Sequence, residues 1–318
     1  MRFGWALAVA VLLLGSGCLS ASGKTSTDTS TDPSDGSSTP PLDAQGPTGP
    51  PRTSPRPSGS NPSTSSSPSP GGGSTEPPQQ TQQTPWPAMD KATIRPGVQI
   101  TMAGAQCTTN FVFRSPDNST LYVGLAAHCV KGMKLGDPLS ISGAHLLKLA
   151  YSSWLTLGLT NCDGESDPPG CDEDFALARI DAADRDKVHP AMLHYGGPIS
   201  LADSSGFALQ QKLLFYGNSD LHMGFENANW HDGVVSSVQS GPQFRMVSLP
   251  PGVPGDSGSG VLTKDGHAAG IFVNICIAPC PGQQGVVGLK AALETASKKA
   301  KLDVELATWA QLDDGLLP

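Results

Sequence analysis

Three short stretches hold side chains able to do nucleophilic chemistry. "PGDSGSGVL" (254–262) sets Ser257 among glycines, directly after Asp256. "GLAAHCV" (124–130) carries His128 inside an apolar run. "DEDFALARI" (172–180) places Asp172, Glu173 and Asp174 just ahead of another apolar run. Taken singly, each has an ordinary reading as a glycine-rich turn, a core histidine or a turn carboxylate. Taken together they supply what acyl transfer to a serine needs. A serine hydroxyl is a poor nucleophile at neutral pH until a base takes its proton. An imidazole titrates in the right range to be that base. A buried carboxylate fixes the imidazole tautomer and stabilises its charged form.

The elements that must position these groups read as strands with turn signals every eight to twelve residues. The early series is 97–102, 110–114, 120–126, 138–142, 145–151, 154–160 and 175–180. Ser115-Pro116-Asp117-Asn118 makes a hairpin connection within it. A later series comprises 212–217, 233–238, 243–249, 260–264, 268–275 and 285–289. The stretch 181–192 separates the two. The one persuasive helix is "LKAALETASKKAKL" (289–302), rich in Ala, Lys and Leu, with Leu289 and Leu293 on one face. Its run Lys298-Lys299-Ala300-Lys301 reads as a solvated helix face. Many short strands joined by Gly/Pro turns predict an all-β sandwich or barrel.

Composition bounds the rest. The chain has 318 residues and a formal net charge of −8, with no clustered basic patch, which argues against nucleic acid as a partner. Residues 1–17 read as an export signal: Arg2, then an apolar run from Trp5 to Leu14 too short to span a bilayer, then Gly15-Ser16-Gly17 before Cys18. This is similar to a lipoprotein signal, with Cys18 the lipidated first residue; the alternative is plain secretion. Residues 18–95 are rich in Ser, Thr and Pro and bury too little apolar area to fold, so a disordered tether is expected. Residues 96–318 remain for a folded domain. Seven cysteines, less Cys18, leave six in an exported chain, which suggests three disulfides. Nearest-neighbour pairing gives Cys107–Cys129, Cys162–Cys171 and Cys276–Cys280, one of fifteen connectivities. The cysteine segments lack histidines at ligand spacing, so no metal or other cofactor is expected.

The three chemical segments, in the order His, Asp, Ser, resemble the trypsin/chymotrypsin-like serine proteases. "AAHC" is similar to the family's base-bearing segment, "DFAL" to its aspartate-plus-strand and "GDSGSG" to its nucleophile loop. The resemblance covers roughly residues 97–302. It implies two six-stranded antiparallel β-barrels, at about 97–185 and 190–289, and a C-terminal helix at about 289–302. It implies His128 as general base and acid, Asp174 as its orienting carboxylate with Asp172 and Glu173 as near rivals, and Ser257 as nucleophile. It implies an oxyanion hole from the N–H groups of Gly255 and Ser257, a bridge between Cys107 and Cys129, and a cationic partner for Asp256. The implied activity is serine endopeptidase, acting on protein or peptide substrates as a monomer, anchored through Cys18 outside the cytoplasm. The alternative is a surface binding module on a protease fold. The sequence departs from the family at the specificity pocket. Pro251 stands where trypsin-type members carry an aspartate, and Ile275 lies near the usual glycine. Small or medium apolar P1 residues are therefore expected.

Overall fold

Short strands, some alternating between buried and solvent-facing side chains and others buried along their length, form the framework of the molecule. The computed structural model describes residues 86–162, 168–203, 207–239, 241–276 and 280–312, which fall in one compact unit. The expected signal, Cys18 and nearly all of the expected tether lie outside these residues. The chain runs through β1 (Gln99–Met102), β2 (Ala105–Thr108), β3 (Val112–Arg114), β4 (Leu121–Leu125), β5 (Pro138–Leu139), β6 (Leu147–Ser152), helix α1 (Ser153–Leu157) and β7 (Ala176–Arg179). It continues through β8 (Ser200–Leu201), β9 (Lys212–Tyr216), β10 (Trp230–Val238), β11 (Gln243–Leu249), β12 (Gly260–Thr263), β13 (His267–Ile275) and β14 (Gln284–Gly288). Helix α2 (Leu289–Ala300) and β15 (Glu305–Leu306) follow.

The fold is all-β, with two principal antiparallel sheets and a C-terminal helix. In the first sheet the order is β15-β3-β4-β7-β6-β5. The β1–β2 hairpin meets its far edge where Thr101 and Ser140 exchange two 2.9 Å backbone bonds. In the second the order is β12-β9-β10-β11-β14-β13, and β13 pairs back onto β12, so six strands close into a barrel. Closure satisfies the backbone groups that an open edge would leave unpaired. Strand β8 adds a short parallel pairing outside the barrel.

Helix α2 turns Leu289, Ala292 and Ala296, spaced three and four apart, into the same core as Phe113, Val123 and Leu177 of the first sheet. Leu293, expected on the buried face, packs at its margin. The segment 154–160, read above as a strand, instead holds the rest of helix α1 and the turn that ends it. Ser152 caps it by accepting from Leu155 N, and Gly158 ends it at φ 69° in the left-handed region. Five residues are too few for a helical period to emerge against the apolar alternation of "WLTLGLT". The final strand, β15, pairs with β3 and adds an Arg114–Glu305 ion pair at 3.1 Å.

Candidate active site

Strand register brings the histidine and aspartate together. β4 and β7 are antiparallel, with Leu125 opposite Ala176. The chain leaves β4 into a 3-10 turn that begins at His128, and enters β7 just after Asp174. The two side chains therefore emerge at the same end of adjacent strands. Asp174 grips His128 at two points: Oδ1 accepts the backbone N–H at 2.9 Å and Oδ2 meets Nδ1 at 2.7 Å. A carboxylate only accepts, so Nδ1 carries the proton and Nε2 presents a lone pair. Asp172 is exposed, and the hydrogen bond to His128 Nδ1 is made by Asp174.

The pair is sheltered but not sealed. The Asp174 side chain is 8% exposed and the His128 side chain 29%. Trp154 of α1 lies 6.3 Å from the imidazole, ring centre to ring centre, and donates Nε1–H to Cys171 O at 3.2 Å. Trp154, Ala127 and the Cys162–Cys171 disulfide form one small apolar cluster against the site. Burial pulls the His128 pKa down, but the charge and hydrogen bond of Asp174 outweigh it and leave the imidazole above its ordinary value.

Ser257 comes from the loop between β11 and β12, which packs on the histidine segment. The Cys107–Cys129 disulfide ties β2 to the residue after His128. Cys129 Sγ lies 3.8 Å from His128 Nε2 and 3.9 Å from Ser257 O. Gly258 sits at φ 94°, and a Cβ there would lie 2.4 Å from Thr108 O and 3.1 Å from Ala126 N. Only glycine permits that approach. Among the described residues, Ser257 Oγ makes no hydrogen bond.

Four consecutive carbonyl oxygens of the loop, from Pro254 to Ser257, are held. Pro254 O accepts from Ser219 Oγ at 2.6 Å, Gly255 O from Thr108 Oγ1 at 2.9 Å, and Ser257 O from Thr108 N at 2.9 Å. Asp256 O accepts from Ser259 N at 3.1 Å and Ser259 Oγ at 2.6 Å. In a trans peptide the C=O and N–H point in opposite directions. Pinning Pro254 O and Asp256 O therefore turns the N–H groups of Gly255 and Ser257 the other way. Among the described residues, neither N–H meets an acceptor. Gly255 is in the left-handed half of backbone space at φ 101°, and a Cβ there would strike Ser219 Oγ at 2.6 Å. Two unpaired N–H groups beside a serine can receive a developing oxyanion.

Asp256, expected to need a cationic partner, is fully buried. It meets two buried histidines that sequence reasoning missed. His222 Nε2 lies 3.3 Å and His231 Nε2 3.7 Å from Asp256 Oδ2. The histidines are nine residues apart and match no recognisable ligand spacing, so no local signal marked them. Burial pushes Asp256 upward and His231 down to about 4. The expected disulfides Cys162–Cys171 and Cys276–Cys280 are both present, alongside Cys107–Cys129. Near Pro251, Gly252 packs against Phe272, whose ring would lie 2.6 Å from a Cβ. Phe272 is itself fully buried and stacked on Phe215 at 4.9 Å. A cavity of about 700 Å³ lies elsewhere, lined by Tyr195, Lys212, Trp230, Asp232 and Leu249 among others, and by none of the three candidate catalytic residues.

No family model matches the sequence, and no curated protein matches it. Among solved structures the chain is similar to Thermobifida fusca protease A, at 16% identity and a TM-score of 0.44 over 69% of this chain and all of that one. It is similar to Nocardiopsis protease at 16% and 0.42, over 68% of this chain and 99% of that one. A third is a glutamic acid-specific serine protease described as using a histidine triad in substrate binding, at 17% and 0.44, over 67% of this chain and all of that one. None of these likenesses assigns a role to a residue of this chain.

Proposed function

We propose that the chain is a serine endopeptidase. The observation that carries this reading is the two-point grip of Asp174 on His128, beside a serine loop with two free N–H groups. Ser257 Oγ attacks the substrate carbonyl while His128 Nε2 takes its proton. The Gly255 and Ser257 N–H groups receive the oxyanion of the tetrahedral intermediate. His128 then gives its proton to the leaving amine, and the acyl group stays on Ser257 Oγ. Water attacks the ester with the same base, releasing the acid and restoring the hydroxyl. The hydrogen bond from Ser257 Oγ to His128 Nε2 forms as substrate closes the site, a common difference between free and occupied catalytic centres.

Peptide or protein is the substrate class, and P1 is a small or medium apolar residue. Pro251 gives no negative charge to balance a Lys or Arg, and an unpaired buried charge is costly. Three disulfides suit an oxidising, extracytoplasmic compartment, and Cys18 is the point of lipid anchoring. The test is labelling by a fluorophosphonate together with digestion of a peptide library. Wild type is expected to be labelled once and to cleave after apolar residues. Ser257→Ala and His128→Ala are expected to lose both while staying folded. Labelling retained in Ser257→Ala would overturn the assignment. A folded wild type that neither labels nor cleaves would instead favour the surface binding module.

A further inference from the structure

The interior behind the serine loop holds an electrostatic problem. Three buried groups face one another: His222 Nε2, His231 Nε2 and the Asp256 carboxylate. The nitrogens stand 3.3 and 3.7 Å from Asp256 Oδ2, and one ligand atom from each residue lies within 4.8 Å of the others. The side chains of His222, His231 and Asp256 are 5%, 0% and 0% exposed.

The far side of each ring fixes which nitrogen carries the proton. His231 Nδ1 lies 2.8 Å from Pro250 O, a carbonyl that can only accept. His222 Nδ1 lies 2.6 Å from Asn229 Oδ1. Asn229 is oriented by its own amide, which donates to Tyr216 Oη at 3.1 Å. Both Nδ1 atoms are thus N–H donors, and both Nε2 atoms of the neutral rings present lone pairs toward a carboxylate. Asp256 Oδ2 already takes the Val253 N–H at 2.9 Å. Both Nε2 atoms and Asp256 Oδ1 are buried with no hydrogen-bond partner. Three converging acceptors without a donor repel one another unless a proton or a metal cation sits among them.

We propose that His222, His231 and Asp256 form a structural site for a divalent transition-metal ion, Zn²⁺ by chemical preference. Two imidazole nitrogens and a carboxylate oxygen are a zinc donor set. Bonds of about 2.0–2.2 Å place tetrahedral ligands roughly 3.4 Å apart, close to the two separations seen here. Each histidine is held by a carbonyl on its second nitrogen, the usual outer support of a metal-ligating imidazole. His231 is also stacked on Phe215 at 4.1 Å with planes 2° apart, so its ring is held in aim. Asp256 Oδ1 sits too close to Oδ2 to fill a separate tetrahedral vertex and can only chelate beside it, so three residues supply the protein's ligands. The enclosure leaves no route for substrate, so the ion is structural. It ties the β9–β10 connection and strand β10 to the residue between Gly255 and Ser257. Its effect on hydrolysis rests on the protease reading; its existence does not.

The test uses the exported, disulfide-intact protein, dialysed against a chelator and then titrated with Zn²⁺ alone by calorimetry, with metal content measured after gel filtration. One Zn²⁺ per chain is expected, with a rise in melting temperature. His222→Gln and His231→Gln are each expected to weaken binding at least about 100-fold, and His194→Gln, a histidine outside the cluster, to leave it unchanged. If the cluster variants fail to fold, Co²⁺ on wild type decides: visible absorption of a four-coordinate N/O site is expected. No stoichiometric metal on folded wild type, no such Co²⁺ spectrum, or full binding in a folded His222→Gln/His231→Gln double variant would each overturn the proposal. In the first two cases ring protonation balances Asp256 instead. Metal content is read without activity, so a failure here is distinct from a failure of the protease assignment.

Discussion

Replacing Asp174 by Asn changes one atom and is expected to remove nearly all activity. The carboxylate serves two donors at once, the His128 backbone N–H at 2.9 Å and Nδ1–H at 2.7 Å. An amide has a single oxygen. If that oxygen stays on the backbone N–H, the NH₂ faces Nδ1, the ring proton moves to Nε2, and the base is lost. If the amide turns over, Nδ1 keeps its proton but the backbone N–H faces NH₂. Leaving that donor unmet costs about 1–3 kcal/mol, so the competent form falls roughly 5- to 150-fold. The variant also loses the charge that balances the imidazolium. At about 4 Å and an effective dielectric near 20 this amounts to about 4 kcal/mol, reduced to about 2–3 kcal/mol by the solvent that reaches His128. The product is a loss of about 10²–10⁴-fold in kcat, with KM little changed. The pH profile is the second readout. Since Asp174 holds His128 above 6.5, wild-type activity should fall as pH drops through a value higher than that, where the ring protonates and cannot accept a proton. In Asp174→Asn the acid limb should move to lower pH. Activity within about tenfold of wild type, with an unmoved acid limb, would refute the assignment of this carboxylate.

Ser219→Ala removes the pin on Pro254 O and loosens the peptide that aims the Gly255 N–H. One hydrogen bond of about 0.5–1.5 kcal/mol predicts a kcat lower by about 2- to 12-fold at constant KM, and an unchanged kcat would remove Ser219 from the positioning of that N–H. For the anchor, intact-mass analysis of the mature protein from membranes should find an acylated Cys18 at its terminus. An unmodified terminus, or one that begins beyond Cys18, rules the anchor out.

Some residues announced themselves in sequence because their neighbours are constrained as tightly as they are. Ser257 sits in a loop where Gly255 and Gly258 adopt conformations open to glycine, so the surrounding pattern is rigid and readable. His128 and Asp174 each adjoin a strand end, and the apolar strands flag them. The partners of Asp256 were illegible because His222 and His231 reach it through tertiary packing, from a 3-10 turn and a strand far from residue 256. Helix α1 was illegible because a serine cap and a left-handed glycine decide it, not its composition. Strand β15 was missed because two residues carry no period, and only the open edge of β3 makes them a strand.

That last strand sets an order of assembly. β15 reaches β3 across a separation of 191 residues at the Arg114–Glu305 contact. Chains emerge from the ribosome N-terminus first, at roughly 5–20 residues per second. The sheet that bears His128 and Asp174 is therefore made first and finished last. Until residue 305 arrives, one edge of β3 stays unpaired while the whole second barrel is synthesised. Contacts this distant in sequence are slow to close, so the half that is begun earliest waits longest for its final strand.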